Sequence, residues 1–165
     1  MKKIGIVMGS KSDLPVVQKT VDTLKELEIP FEAHISSAHR TPAEAAEFAR
    51  SARENGFGVL IAAAGMAAHL AGALAANTTL PVIGIPCKGP VFDGLDALLS
   101  TVQMPSGIPV AAVAVGGGVN AALLAAQILA VTDEDLARKL QEKREAAASA
   151  VRTQDAELQN EWNQG

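Results

Sequence analysis

The sequence predicts an α/β fold in three layers: a central parallel sheet of about five strands, helices on both faces, and a C-terminal helical tail. Two observations carry this expectation. Short apolar runs bounded by turn residues recur between Ile4 and Val115, and the stretches separating them have helix-compatible spacing. That alternation is what right-handed βαβ crossovers around a parallel sheet produce.

In chain order, the expected strands are Ile4–Met8, Phe31–Ile35, Val59–Ala63, Pro81–Ile85 and Pro109–Val115. The helices between and after them are expected over Leu14–Leu27, Pro42–Asn55, Ala67–Ala76, Leu95–Val102 and Asn120–Ala130. Thr41-Pro42-Ala43-Glu44 reads as a capping box with proline at the first helical position. From Thr132, a candidate N-cap, the chain turns charged and helix-prone through about Asn160, with an alanine-rich patch at Ala146–Ala150.

The 165 residues, 48% hydrophobic and 19% charged, suffice for one sizeable core but are few for two. A single domain is therefore expected over 1–165, with a core at 3–130 and a helical tail at 132–160. The net charge of −4, with no basic run interleaved with aromatics, argues against nucleic acid as a partner. No apolar run approaches a membrane span, and the apolar stretch before Gly9 is too short for a signal peptide. One cysteine, Cys87, excludes an internal disulfide and suits a reducing compartment, so a cytoplasmic location is expected. Aromatics make up only 3%, which leaves a modest apolar payload per chain and favours burial by self-association.

Three segments carry candidate chemistry, each where a strand should end and a helix begin. Ligands bind at that edge of an open parallel sheet. Gly9-Ser10-Lys11-Ser12-Asp13 offers a tight turn, two hydroxyls, a cation and a carboxylate, a set suited to a sugar phosphate. The same residues serve equally as a Ser/Asp helix cap. Ser37-Ala38-His39-Arg40-Thr41-Pro42 places an acid/base side chain beside a cation; an imidazole of ordinary pKa, about 6.5, gives and takes a proton near neutrality. Idle surface positions are the plainer readings of His39 and Arg40. Around His69, the stretch Ala62–Gly72 has bulk only at Met66 and Leu70, which describes a cramped apolar pocket for a small uncharged molecule or a carboxylate. A core histidine in a helix-packing segment is the other reading. His34, within the second strand, is expected to be structural.

Other signals are discounted. Gly116-Gly-Gly118-Val-Asn-Ala121 matches a dinucleotide-binding pattern but follows the last strand and lacks the partner acid, so it reads as a turn and close packing. Nothing in the sequence indicates a depressed thiol pKa at Cys87. A phosphate-binding P-loop motif is absent.

Together, Met8-Gly-Ser-Lys-Ser-Asp13, Ser37-Ala-His-Arg-Thr-Pro42, Ala67-Ala-His-Leu70, Val102-Gln-Met-Pro-Ser-Gly-Ile-Pro109 and Asn120-Ala-Ala-Leu-Leu-Ala-Ala126 resemble the AIR carboxylase family. Within it they are similar to the class I N5-carboxyaminoimidazole ribonucleotide mutases of de novo purine biosynthesis. The resemblance runs from about Lys3 to Leu129 and implies a flavodoxin-like or Rossmann-like sheet. It also implies transfer of a carboxylate from the exocyclic nitrogen of a ribonucleotide to ring carbon C4, without metal or organic cofactor. His39 matches the family's acid/base residue. Ser10, Ser12 and Arg40 match phosphate contacts, Asp13 the ribose contact, and Ser37 and Ala38 lie beside them. Gly65, Ala68, His69 and Leu70 fall in the loop that resembles the CO2 and carboxylate pocket, and His69 marks class I. A homo-octamer with sites near subunit boundaries is implied as well. The sequence departs from the pattern at Met66, where a hydrogen is expected, at Ala71 in a proline's place, and in the short Gly116–Val119 loop. Two alternatives stand beside the mutase: a carboxylase using free CO2, and a flavodoxin-like nucleotide-binding module without chemistry.

Overall fold

A computed structural model describes residues 1–163; positions 164 and 165 of the expected domain lie outside the described residues. Five strands form one parallel sheet: β1 (Lys3–Met8), β2 (Phe31–Ile35), β3 (Phe57–Gly65), β4 (Val82–Cys87) and β5 (Ala111–Ala112), in the order β2-β1-β3-β4-β5. The helices are α1 (Leu14–Glu26), α2 (Pro42–Ser51), α3 (Leu70–Ala75), α4 (Leu95–Val102), α5 (Gly118–Ala130) and α6 (Glu134–Trp162). This strand order is that of flavodoxin-like sheets, so the fold class agrees with the expectation.

The continuous apolar runs of β1, β3 and β4 exist because both faces of the sheet are covered. Side chains alternate between faces. Ile4, Ile6, Val59, Ile61, Ile83 and Ile85 join a core with α1, α5 and the start of α6, whereas Val7, Leu60, Ala62 and Val82 join a second core with α2 and α3. Gly118 sets how closely α5 meets α1. A Cβ there would stand 2.3 Å from the Val16 carbonyl oxygen, and the buried Thr20 hydroxyl donates to the Gly118 carbonyl at 2.9 Å. With Gly116 in the left-handed region (φ +70°), the glycine run is the turn and close packing that the sequence indicated.

Most element ends shift by a few residues from expectation, and four differences bear on the local chemistry. The fifth strand shrinks from seven expected residues to two, because Pro86 in β4 has no N–H to offer the neighbouring edge and Pro109 has none either. Beyond Ala112 the chain still tracks β4 through single bonds, Val113 N–H to Gly84 O and Gly116 N–H to Pro86 O. The capping box expected at Thr41 is not formed: its hydroxyl makes no cap bond and is committed to the preceding loop instead. At the tail, Asp133 rather than Thr132 is the N-cap, its carboxylate accepting from Leu136 N–H at 3.0 Å. Finally, residues 67–69 belong to the loop after β3, so α3 begins at Leu70 rather than Ala67.

Candidate active site

In this strand order the chain leaves β1 for one edge and later returns beside it as β3, opening a crevice at the carboxyl ends of β1 and β3. A cleft of about 630 Å³ lies there. Four loops build it: those after β1, β2, β3 and β4.

The loop after β1 wraps into a single 3-10 turn, Lys11–Asp13, capped by its own side chains. The Ser10 hydroxyl accepts from Ser12 N–H at 3.2 Å, and the Asp13 carboxylate accepts from Ser10 N–H at 3.1 Å. Ser10 and Ser12 hydroxyls also bond to each other. The helix-cap reading of this segment is thus realised, and the same hydroxyls still line the cleft. Asp13 is buried, and desolvation pushes its carboxyl above the ordinary carboxylate range against the opposing hydrogen bonds from Ser10 and Cys87. Burial, reinforced by the Asp13 charge, pushes the Cys87 thiol up to about 12, so it is no nucleophile at neutral pH.

After β2 the chain turns back on itself between Ser37 and Thr41. Thr41 is the clasp. Its N–H reaches the Ser37 carbonyl at 2.8 Å, its hydroxyl donates to the same carbonyl at 3.1 Å, and it accepts from Ser37 N–H at 2.8 Å. The Ser37 hydroxyl accepts from Arg40 N–H at 3.2 Å. This closed turn presents His39 and Arg40 outward, both exposed, and the Arg40 guanidinium donates to the Gly9 carbonyl at 3.1 Å, tying the second loop to the first.

The loop after β3 carries His69. Its ring lies over Gly72: a Cβ at that glycine would stand 2.7 Å from His69 Cε1, 3.0 Å from Nδ1 and 3.2 Å from the Met104 sulfur. His69 is exposed, which excludes the core-histidine reading. The wall is less cramped than expected. Met66 adopts a left-handed backbone (φ +56°), a conformation that strains any non-glycine residue, and its side chain sits 62% exposed at the mouth rather than filling the interior.

Of the residues singled out from sequence, Ser10, Ser12, Asp13, Ser37, Ala38, His39, Arg40, Gly65, His69 and Leu70 line this one cleft. Ala68 does not; it is buried beneath the loop. His34 lies on the edge strand against the Phe48 ring, centroids 5.1 Å apart, away from the cleft. Sequence reasoning missed the fourth wall, Lys88-Gly89-Pro90, although its place just beyond a strand end was the available signal. A larger groove of about 1050 Å³ opens at the other end of β4, but its Arg50 and Arg53 are bound to Asn77 and Thr79, and neither cleft histidine borders it.

Comparison with known proteins identifies the family of the chain. The family model described as AIR carboxylase matches residues 3–150. The N5-carboxyaminoimidazole ribonucleotide mutase of Bacillus subtilis is 55% identical over 150 residues, 90% of this chain and 93% of that protein. The protein of the same name from Pyrococcus abyssi is 52% identical, over 88% of this chain and 83% of its own length. Among solved structures, Treponema denticola PurE superposes with a TM-score of 0.82 at 30% identity, covering 94% of this chain and 97% of that one. The chain belongs to the AIR carboxylase family.

Proposed function

We propose that this chain is an isomerase of purine biosynthesis that converts N5-carboxyaminoimidazole ribonucleotide into its C4-carboxylated isomer. One observation carries the reading: a single cleft at the β1/β3 crevice gathers His39, His69, Arg40, Asp13 and the Ser10 and Ser12 hydroxyls from three separate loops. Relatives more than 50% identical over most of their length bear the mutase name.

The residues supply a complete proton cycle. His39, on its clasped turn, donates a proton to the exocyclic nitrogen, and the N–C bond then breaks with its electron pair staying on nitrogen. CO2 and the uncarboxylated ribonucleotide result. The enamine-like C4 attacks CO2, and His39 removes the C4 proton, returning to its starting state. His69 and the wall formed by Gly65 and Leu70 hold CO2 near C4, so that recapture outruns escape. Arg40 and the two serines take the phosphate, Asp13 a ribose hydroxyl, with Ser37 and Ala38 flanking them and Ala68 supporting the loop from below. No metal or organic cofactor takes part in this scheme.

In this reading residues 3–130 are the core of one domain and 132–160 its tail, and the protein works as a cytoplasmic homo-octamer. Exposed apolar side chains on α6 and on the free edge at Ile35, together with the small-residue core, support self-association. The buried free thiol of Cys87 suits a reducing compartment.

The test is turnover of N5-carboxyaminoimidazole ribonucleotide by purified protein without ATP, metal or added bicarbonate. Formation of the C4-carboxylated product is expected. A reaction only with the uncarboxylated ribonucleotide plus bicarbonate would reassign the protein as a free-CO2 carboxylase, and binding without either reaction would make it a non-catalytic module.

A further inference from the structure

The cleft has one cation on the β1/β2 side and another on the β4 side. Arg40 is tied to Gly9. Opposite it, Lys88 follows directly on the buried strand β4, and the pairing of Gly65 with Cys87 sets Lys88 beside the Met66 end of the His69 loop. A Cβ on the next residue, Gly89, would come within 3.8 Å of Met66 Cγ, so the two loops share one rim. The Lys88 ammonium pairs with Asp93 at 3.0 Å, and both side chains are mostly exposed, at 70% and 81%. An ion pair that open is weak and readily exchanged for a better anion. Asp93 adopts a left-handed backbone (φ +53°) followed by Gly94 at φ +97°, a strained turn that carries the carboxylate paired with Lys88.

The substrate class proposed above is anionic at both ends, a phosphate at one and a carboxylate at the other. We propose that Lys88 is the specificity residue for the migrating carboxylate, its ammonium exchanging Asp93 for that group on the His69 side while Arg40 holds the phosphate. Asp93 then acts as a placeholder that keeps Lys88 aimed at the cleft in the empty protein. The other titratable groups bordering the cleft are Asp13, His39 and His69, and none of them supplies a permanent positive charge on this side. This inference rests on the proposed substrate, and binding measurements separate its failure from failure of the mutase reading.

The experiment compares wild-type protein with Lys88→Met, Lys88→Arg and Asp93→Asn, by titration with the C4-carboxylated and the uncarboxylated ribonucleotide and by steady-state kinetics. Lys88→Met is expected to weaken the carboxylated ligand about tenfold or more and to raise KM correspondingly, while the uncarboxylated ligand changes less than about twofold. Lys88→Arg is expected to recover most of the loss, and Asp93→Asn to tighten the carboxylated ligand. Equal weakening of both ligands, or none of either, would overturn the role of Lys88. Wild-type protein that discriminates the two ligands through Lys88 yet turns nothing over would contradict the mutase reading alone.

Discussion

Asp13 shows how a single residue carries both a structural cost and a site. Its carboxylate satisfies Ser10 N–H, but burial raises its pKa, so the folded protein holds that proton more tightly than the unfolded chain does. The stability linked to this proton is full at acid pH and is lost as pH rises through the raised value, leaving the ionised carboxylate a net cost at neutrality. Asp13→Asn keeps an acceptor for Ser10 N–H and removes the charge. Its melting temperature is expected to exceed that of wild type at pH 7–8 by more than at pH 4, while ribonucleotide affinity falls; thermal scans across pH with parallel titrations check both. The sequence displayed the residue types of this turn plainly but not the burial that tunes them. The same holds at Met66, where only the backbone shows the left-handed strain and the outward side chain.

At the scale of elements, the loops and the extent of the edge strand β5 escaped the sequence, whereas the other four strands did not. Strand and helix identities followed from apolar runs and turn residues, because continuous apolar strands are what a doubly covered parallel sheet demands. What a hydroxyl bonds to is a tertiary matter, and Thr41, placed as a cap by its Thr-x-x-Glu pattern, instead clasps Ser37. Thr41→Val should therefore loosen the turn that presents His39 and Arg40. It leaves Ser37 N–H unpaired at a cost of about 1–3 kcal/mol, and kcat is expected to fall by about tenfold to a hundredfold through misplacement of His39. Denaturant titration and steady-state assays read the two effects. Gly118→Ala tests the α1–α5 contact without touching the cleft: overlap with the Val16 carbonyl is expected to lower stability by about 1–3 kcal/mol, with the denaturant slope unchanged.

For the whole molecule, the main asymmetry of packing lies in α6. Its first turns bury Leu136 and Leu140 and pair Lys143 with Glu26 of α1 at 2.6 Å, whereas Val151, Leu158 and Trp162 further along are exposed. A helix of 29 residues, about 44 Å long, thus extends beyond the body that anchors it. Charge and helix propensity announced the tail in the sequence, but no motif said what it meets. Trp162 is the sole tryptophan and a built-in reporter. Assembly through the outer half of α6 is expected to shift its emission to the blue as protein concentration rises, in step with mass by light scattering; mass that grows without a shift would place the contacts elsewhere. The central claim, that one cleft performs carboxylate transfer with His39 as its acid and base, is tested most directly by His39→Asn. The variant is expected to keep the fold and ribonucleotide affinity of wild type and to form no C4-carboxylated product from N5-carboxyaminoimidazole ribonucleotide. Substantial product from a folded, substrate-binding His39→Asn protein would contradict it.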